Sequence, residues 1–420
     1  MATSTSGTVY VFDDHGVLQP GWPKTLDQGV TPPAIPRPSL PYTRLPTQGA
    51  VSGPVLFDLN GDHKLEIVQV GWDGYIHVWE PDGSDVQGWP VKVNMPSGYQ
   101  PPPGMVAVND QKLDSPPAIA FLQSQSSPPD IVLRPQYSET ETQTGGGLAP
   151  VGAGYVFAYG ADGSVLSGFP VRMPSPVEYY GSAQEFITEG NAAPAVADVT
   201  GSGSGPDMIA VGPVLSPPYL INGAGQIQSN YGPTPSFPPG PGQDVPVAFT
   251  TSGAFGMVNG VLTFAQAETG STSLATSLLH PSNGTGINEY EAAYPATGGS
   301  ARPGFPAARQ GIDFLGQPIF ADVTGDGDAE IIDGGDSNAL QAYDGTGAMA
   351  AGFPKWTTGW SLFSPAAGDL LGDGKVELAS TTREGYLFVW TTDGVPAGLQ
   401  WSRAQHDDWN SGRWETTVTP

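Results

Sequence analysis

The chain contains no cysteine. That excludes a disulfide scaffold, a thiolate metal site and a cysteine nucleophile. Basic residues are scarce. Fifteen Lys and Arg stand against 41 Asp and Glu, a formal net charge of -26. Such a surface repels nucleic acid and anionic membrane, and it suits the binding of cations. No run of 18 apolar residues occurs, which excludes a transmembrane helix and membrane insertion by one. The opening residues, Met1 to Gly7, carry neither a basic nor an apolar export segment. If the protein is secreted, this sequence is expected to be a processed form, an excised piece or a passenger. Stretches free of breakers are also missing. Gly (58) and Pro (44) make up about a quarter of the 420 residues, so long helices are disfavoured.

What is present is repetition. A small residue, an aromatic and Pro recur as Gly21-Trp22-Pro23, Gly88-Trp89-Pro90, Gly168-Phe169-Pro170, Ser236-Phe237-Pro238, Gly304-Phe305-Pro306 and Gly352-Phe353-Pro354. Gly398-Leu399-Gln400-Trp401 reads as a worn seventh copy. The last two spacings, 48 and 46 residues, are the bare unit. Upstream of most marks lies a β-branched and aromatic strand closed by a turn. Gly74-Tyr-Ile-His-Val-Trp-Glu-Pro-Asp-Gly83 and Gly385-Tyr-Leu-Phe-Val-Trp-Thr-Thr-Asp-Gly394 are clear copies. Several of these strands are apolar on both faces, as in sheets sandwiched between sheets. Four short strands per unit predict an all-β fold, a β-propeller of seven blades of four-stranded antiparallel sheets. The first blade would be partial over residues 1–23, and residues 403–420 would form a closing tail, with one strand over Trp414 to Thr419. Six blades plus an N-terminal extension is the alternative. One domain would span 1–420. The Pro-rich insertions at Thr31–Pro46, Pro101–Pro103, Ser138–Pro150, Pro213–Pro218 and Pro233–Pro241 read as rim loops. The aromatic of each mark is expected to pack between blades.

Three acidic loops share a register. They are Asp58-Leu-Asn60-Gly-Asp62-His-Lys64-Leu-Glu66, Asp322-Val-Thr324-Gly-Asp326-Gly-Asp328-Ala-Glu330 and Asp369-Leu-Leu-Gly-Asp373-Gly-Lys375-Val-Glu377. Oxygen side chains fall at positions 1, 5 and 9 in all three, and at position 3 in the first two. Position 7 can add a backbone carbonyl. Spaced hard oxygens on a tight Gly-containing loop suit Ca²⁺ better than Mg²⁺, which demands stricter geometry. An EF-hand is excluded, because position 12 is Gln69, Asp333 or Ser380 and the flanks are strands. The competing reading is a plain Asp/Gly turn, its carboxylates bonded to local amides. His63 stands where the other two loops have Gly, and Leu371 stands where a ligand belongs. The stretches at 198–207 and 121–130 have lost most of the pattern.

These loops, followed by Glu-Ile-Val or Glu-Ile-Ile, resemble FG-GAP/VCBS repeats, the units of the integrin α-subunit propeller and of many bacterial secreted proteins. The tail His406-Asp407-Asp408-Trp409-Asn410-Ser411-Gly412 resembles the segment that ends such bacterial arrays. The resemblance implies two or three structural Ca²⁺. The ligands would be Asp58, Asn60, Asp62, Glu66, Asp322, Thr324, Asp326, Glu330, Asp369, Asp373 and Glu377, with the carbonyls of Lys64, Asp328 and Lys375. It also implies recognition or adhesion at the cell exterior or surface, with a protein or glycan as partner.

Nothing marks an enzyme. The five histidines, His15, His63, His77, His280 and His406, form no ligand pair, and Gly201-Ser-Gly-Ser-Gly205 reads as a turn and not as a nucleophile elbow. With 41 acids some carboxylates will lie close, but the loops give no basis for a glycosidase. A quinone- or sugar-processing propeller enzyme is one alternative, and it would need a basic, aromatic-lined central pocket. A lectin-like module using Trp72, Trp360, Trp409 or Trp414 is the other alternative.

Overall fold

A computed structural model describes residues 1–26 apart from 5, 49–109 apart from 51, and 113. It also describes 115–141 apart from 136, 147–180 apart from 150 and 177, 192–236, 244–279 apart from 250, and 286–414 apart from 314. The fold is nearly all-β. One α-helix, Ser271–Leu279, occurs among the described residues, and no described helix is long and apolar enough to cross a membrane.

Seven principal antiparallel sheets follow one another along the chain. Sheet one holds Ala2–Thr3, Thr8–Tyr10 and Lys24–Thr25. Sheet two is Val55–Phe57, Glu66–Val70, Tyr75–Trp79 and Val91–Lys92, paired in that order. Sheet three is built on Ala118–Ala120, Asp130–Leu133, Gly152–Gly160 and Val171–Ser175. Sheet four has Ala195–Ala197, Met208–Val211, Tyr219–Ile221 and Ile227–Asn230. Sheet five has Ala254–Val258, Val261–Gly270, Glu289–Pro295 and Ala307–Arg309. Sheet six has Ile319–Ala321, Glu330–Asp333, Ala339–Tyr343 and Lys355–Trp356. Sheet seven stops at three strands, Ala366–Gly368, Glu377–Thr381 and Leu387–Thr391.

Each sheet is too small to bury itself, and the cores lie between sheets. Val9, Trp22 and Leu26 of sheet one pack with Ile67 and Trp79 of sheet two. Further clusters join two to three, three to four, four through six, and six to seven. No cluster among the described residues joins seven to one.

The recurring marks are the fasteners. Trp22, Trp89, Phe169 and Phe305 are buried between sheets, as expected, and the indoles of Trp22 and Trp89 donate to the carbonyls of Pro81 and Ala161 in the following sheet. Beside them, Gly21, Gly88, Gly168 and Gly304 have positive φ and lie against the next sheet's hairpin turn. A Cβ on Gly304 would sit 1.7 Å from the Thr346 carbonyl oxygen, and one on Gly21 would sit 1.9 Å from that of Asp82. The mark and the Asp-Gly turn are thus two halves of one backbone contact. The fourth mark's Phe237 lies outside the described residues.

The C-terminal segment departs from expectation. Gly398 to Trp401 is not a seventh mark feeding an outer strand. Leu399–Trp401 instead enters the middle and pairs with Ile319–Ala321 of sheet six. Gln400 bonds both backbone groups of Met257 in sheet five. Ser402 accepts from Ala367 N of sheet seven, Trp409 from Leu56 N of sheet two, Ser411 from Ile119 N of sheet three and Gly412 from Val196 N of sheet four. Arg413–Trp414 then runs parallel to Ala195–Ala197. The strand present here is Arg413–Trp414, on the inner edge of sheet four; residues 415–419 of the expected strand lie outside the described residues. One segment touches the first strand of six sheets because each inner edge would otherwise leave amides unpaired away from water. Ser138–Pro150, expected as a loop, contains the strands Tyr137–Glu141 and Gly147–Ala149. Of the insertion at Thr31–Pro46 nothing is described.

A pair of glycine substitutions tests the fastener. Gly352 shares the positive φ, but a Cβ there would meet only the end of the Lys355 side chain. Gly352→Ala should cost about 1–2 kcal/mol from the left-handed backbone alone. Gly304→Ala should cost clearly more in chemical denaturation, and equal costs would show that the close approach does not matter.

Candidate metal loops

The loop between the first two strands of a sheet is held by a common set of bonds. The position-9 carboxylate, which opens the second strand, accepts the N–H of position 2. Glu66 takes Leu59 N at 2.6 Å, Glu330 takes Val323 N at 2.9 Å and Glu377 takes Leu370 N at 3.0 Å. Asp130 takes Leu122 N in the same way at 3.2 Å. The position-1 Asp accepts amides from the far side of the turn. Asp58 takes Gly61 N and His63 N, Asp322 takes Gly325 N and Gly327 N, and Asp369 takes Asp373 N and Gly374 N. The sixth residue has φ of 67° at His63, 95° at Gly327 and 83° at Gly374. The turn therefore demands a left-handed residue there, and His63 is the strained copy.

In the first loop the geometry goes beyond a turn. Carboxylate oxygens of Asp58, Asp62 and Glu66 all lie within 4.8 Å of one another. Glu66 is fully buried, and burial pushes its carboxyl up to about 7 against the pull of the Leu59 amide. Asn60 Nδ2 reaches Glu66 Oε1 at 3.3 Å. The Lys64 ammonium sits on Asp62 at 2.8 Å and, through that hydrogen bond, lowers the Asp62 pKa. Three gathered carboxylates with one lysine fit a divalent cation.

The other two loops share the frame and are less drawn together. Asp322, Asp326 and Glu330 do not gather as closely, nor do Asp369, Asp373 and Glu377. Thr324 donates to Glu330, whose carboxyl burial also raises to about 7. Glu377 Oε1 is buried with no hydrogen-bond partner, which a cation would satisfy. Leu371 points to solvent and offers nothing. The amides of Lys64, Asp328 and Lys375 all donate to the position-5 carboxylate.

The degenerate loops are completed from within the protein. Asp198 accepts from Thr200 and Ser202 hydroxyls and from Gly205 N. Burial opposes ionisation there, but those donors pull Asp198 down to about 2. In sheet four the register puts Met208, and not a carboxylate, where Glu66 stands in sheet two. The preceding residue, Asp207, takes the Arg413 guanidinium at 2.5 Å and Phe121 N of sheet three at 2.8 Å. Arg413 also lies 4.8 Å over the Phe121 ring and bonds Gln125. A side-chain cation thus joins sheets three and four through the tail. Nothing in local sequence signals this, since Arg413 is 206 residues from Asp207.

A second feature escaped the sequence pattern. Arg309 is buried at the join of sheets five and six, 3.1 Å from Asp333 and 3.7 Å from Glu291. His77 lies in its strand, buried and 2.8 Å from Asp73. His280 lies outside the described residues. Among the four candidate rim tryptophans, Trp414 is buried, Trp72 and Trp409 are half-buried, and Trp360 is exposed with Arg383 over its ring. A further acidic group, Asp13, Asp14 and His15, is an exposed turn.

No family model matches the chain, and no curated protein matches it. Among solved structures, the "BBS1N" chain crystallised with "ARL6DN" overlaps at a TM-score of 0.42 and 12% identity. That overlap covers 81% of this chain and 80% of that one. The V. cholerae biofilm matrix protein Bap1 gives 0.34 and 13% over 84% and 78%. A Synechocystis apocarotenoid oxygenase gives 0.23 and 10% over 83% and 49%. Likenesses this loose assign neither family nor function.

Two measurements follow. Removing the strain at the sixth position, His63→Gly should stabilise the protein by about 1 kcal/mol in denaturant titration. Buried Glu66 and Glu330 hold protons near pH 7 that the unfolded chain releases near 4.5. Stability in chelator should therefore fall as pH rises through that window. A saturating divalent cation, which needs the ionised carboxylates, should abolish the fall. Calorimetry at pH 5 and pH 8, with and without metal, checks both signs.

Proposed function

We propose that the chain is a seven-bladed β-propeller of FG-GAP/VCBS type, stabilised by loop-bound Ca²⁺. It acts as an extracellular or cell-surface recognition module for a protein or glycan partner and has no catalytic role. The observation that carries the proposal is the convergence of Asp58, Asp62 and buried Glu66, on a backbone frame that recurs at 322–330 and 369–377.

Support for the ring comes from the order in which sheets pack and the route of the tail. Residues 400, 401, 402, 409, 411 and 412 meet sheets five, six, seven, two, three and four in turn. That is the circular order of the chain with one position skipped, and sheet one packs beside that position against sheet two. In this reading the metals brace strand-to-strand loops and contribute binding free energy to folding. Exposed Trp356 favours a glycan among the partners, since a free indole face suits sugar rings.

Metal analysis of the purified protein tests the core of this. Asp62→Ala should lose one Ca²⁺ equivalent and show a smaller rise in melting temperature on adding Ca²⁺. Asp326→Ala should lose a second. Wild-type metal content in both variants would remove the calcium reading.

A further inference from the structure

Exposed apolar residues are concentrated in and around sheet seven. Nineteen large hydrophobic residues are exposed among the described residues, and nine of them lie between Trp356 and Val395. Tyr386, Leu387 and Val389 are 58%, 67% and 43% exposed. A concentration of this kind marks an interaction surface.

The same sheet also has an open edge. Sheets two to six each carry a fourth strand beyond the third. In sheet seven the chain that would supply it, Leu399–Trp401, is paired with sheet six. Among the described residues, Leu387–Thr391 is therefore an edge, bonded on one side only, to Glu377–Thr381. Thr392 N bonds Val376 O, and Thr382 N bonds Tyr386 O. By antiparallel alternation the backbone groups of Leu387, Val389 and Thr391 point outward. An uncharged, apolar open edge is a template for another strand.

We propose that two copies of this chain join edge to edge through Leu387–Thr391, antiparallel about a two-fold axis at Val389. In that register Val389 faces Val389 and Leu387 faces Thr391. All three outward-pointing residues then meet as hydrogen-bonded pairs, which exchange two bonds each. The pairing also suits the charge. In a chain of -26, Gly385 to Thr392 carries no charged residue, so no like charges meet along the seam. A two-fold contact of this kind is self-complementary and closes at two.

Sedimentation equilibrium over a concentration series, with the metal-loaded full chain, tests the proposal. A reversible dimer is expected. Val389→Lys, which places two ammonium groups against each other on the axis, should raise its dissociation constant at least tenfold. Val165→Lys, an equally exposed apolar site elsewhere, should leave it unchanged. Circular dichroism of both variants should match the parent, as these are surface positions. A monomer throughout the series would overturn the proposal. So would a dimer indifferent to Val389→Lys, or slow amide exchange at Leu387 and Val389 in a monomeric sample, which would mean that another part of the same chain covers the edge.

Discussion

A sheet of three or four short strands that is apolar on both faces cannot stand in water by itself. Every other feature of this molecule answers that constraint. Strands such as Glu66–Val70 and Ala339–Tyr343 are buried along their whole length, so neighbouring sheets must approach on both sides. Close approach of two sheets needs backbone against backbone at their ends, and the glycine of each mark provides it. The indole or phenyl ring beside it fills the wedge that opens outward, where sheets in a radial stack diverge. One three-residue motif thus sets both the spacing and the splay of its sheets.

The inner ends pose the opposite problem. There the first strands converge, side chains have little room, and each strand has one edge without a partner. The tail solves it with short strand pairings to sheets six and four, single backbone bonds to sheets seven, two and three, and the Gln400 side chain on sheet five. The Gln405 side chain donates to the buried Gln317 amide oxygen. The loops at the strand ends follow the same economy. The position-9 carboxylate is committed to its own turn before any metal is considered. A cation then has only to neutralise charge that the turn has already gathered. That explains why the frame survives at Asp130, where the oxygens for a metal are gone.

Much of this was legible in the sequence, because repetition converts weak local signals into a pattern. The marks, the hairpins and the acidic register each recur, and the structure uses each recurrence in the same way. The left-handed sixth position was legible from Gly327 and Gly374 standing where His63 does. What could not be read was pairing between distant, non-repeated residues. Gly398 to Trp401 has the composition of a mark but lacks its proline, and nothing local says that its carbonyls will face the centre. Arg413 on Asp207 and Arg309 on Asp333 are likewise invisible, since one arginine looks like another until its neighbours are known. Ser138 to Pro150 misled for a different reason. Its Gly and Thr content reads as loop, yet Tyr137–Glu141 is held as a strand by pairing with Met105–Asn109 and Gly152–Ala153, not by its own propensity.

The open edge of sheet seven and the filled centre are one decision. Leu399–Trp401 can complete the last sheet or enter the middle and pair with sheet six, and one strand cannot do both. At the periphery an unpaired strand edge can bond water, so leaving it open costs little beyond exposed side chains. At the centre, water is crowded out, and an unpaired amide loses its bond outright. The free energies therefore favour sending the chain inward. The open edge at Leu387–Thr391 is the consequence displaced to the surface, where a second molecule can pair with it.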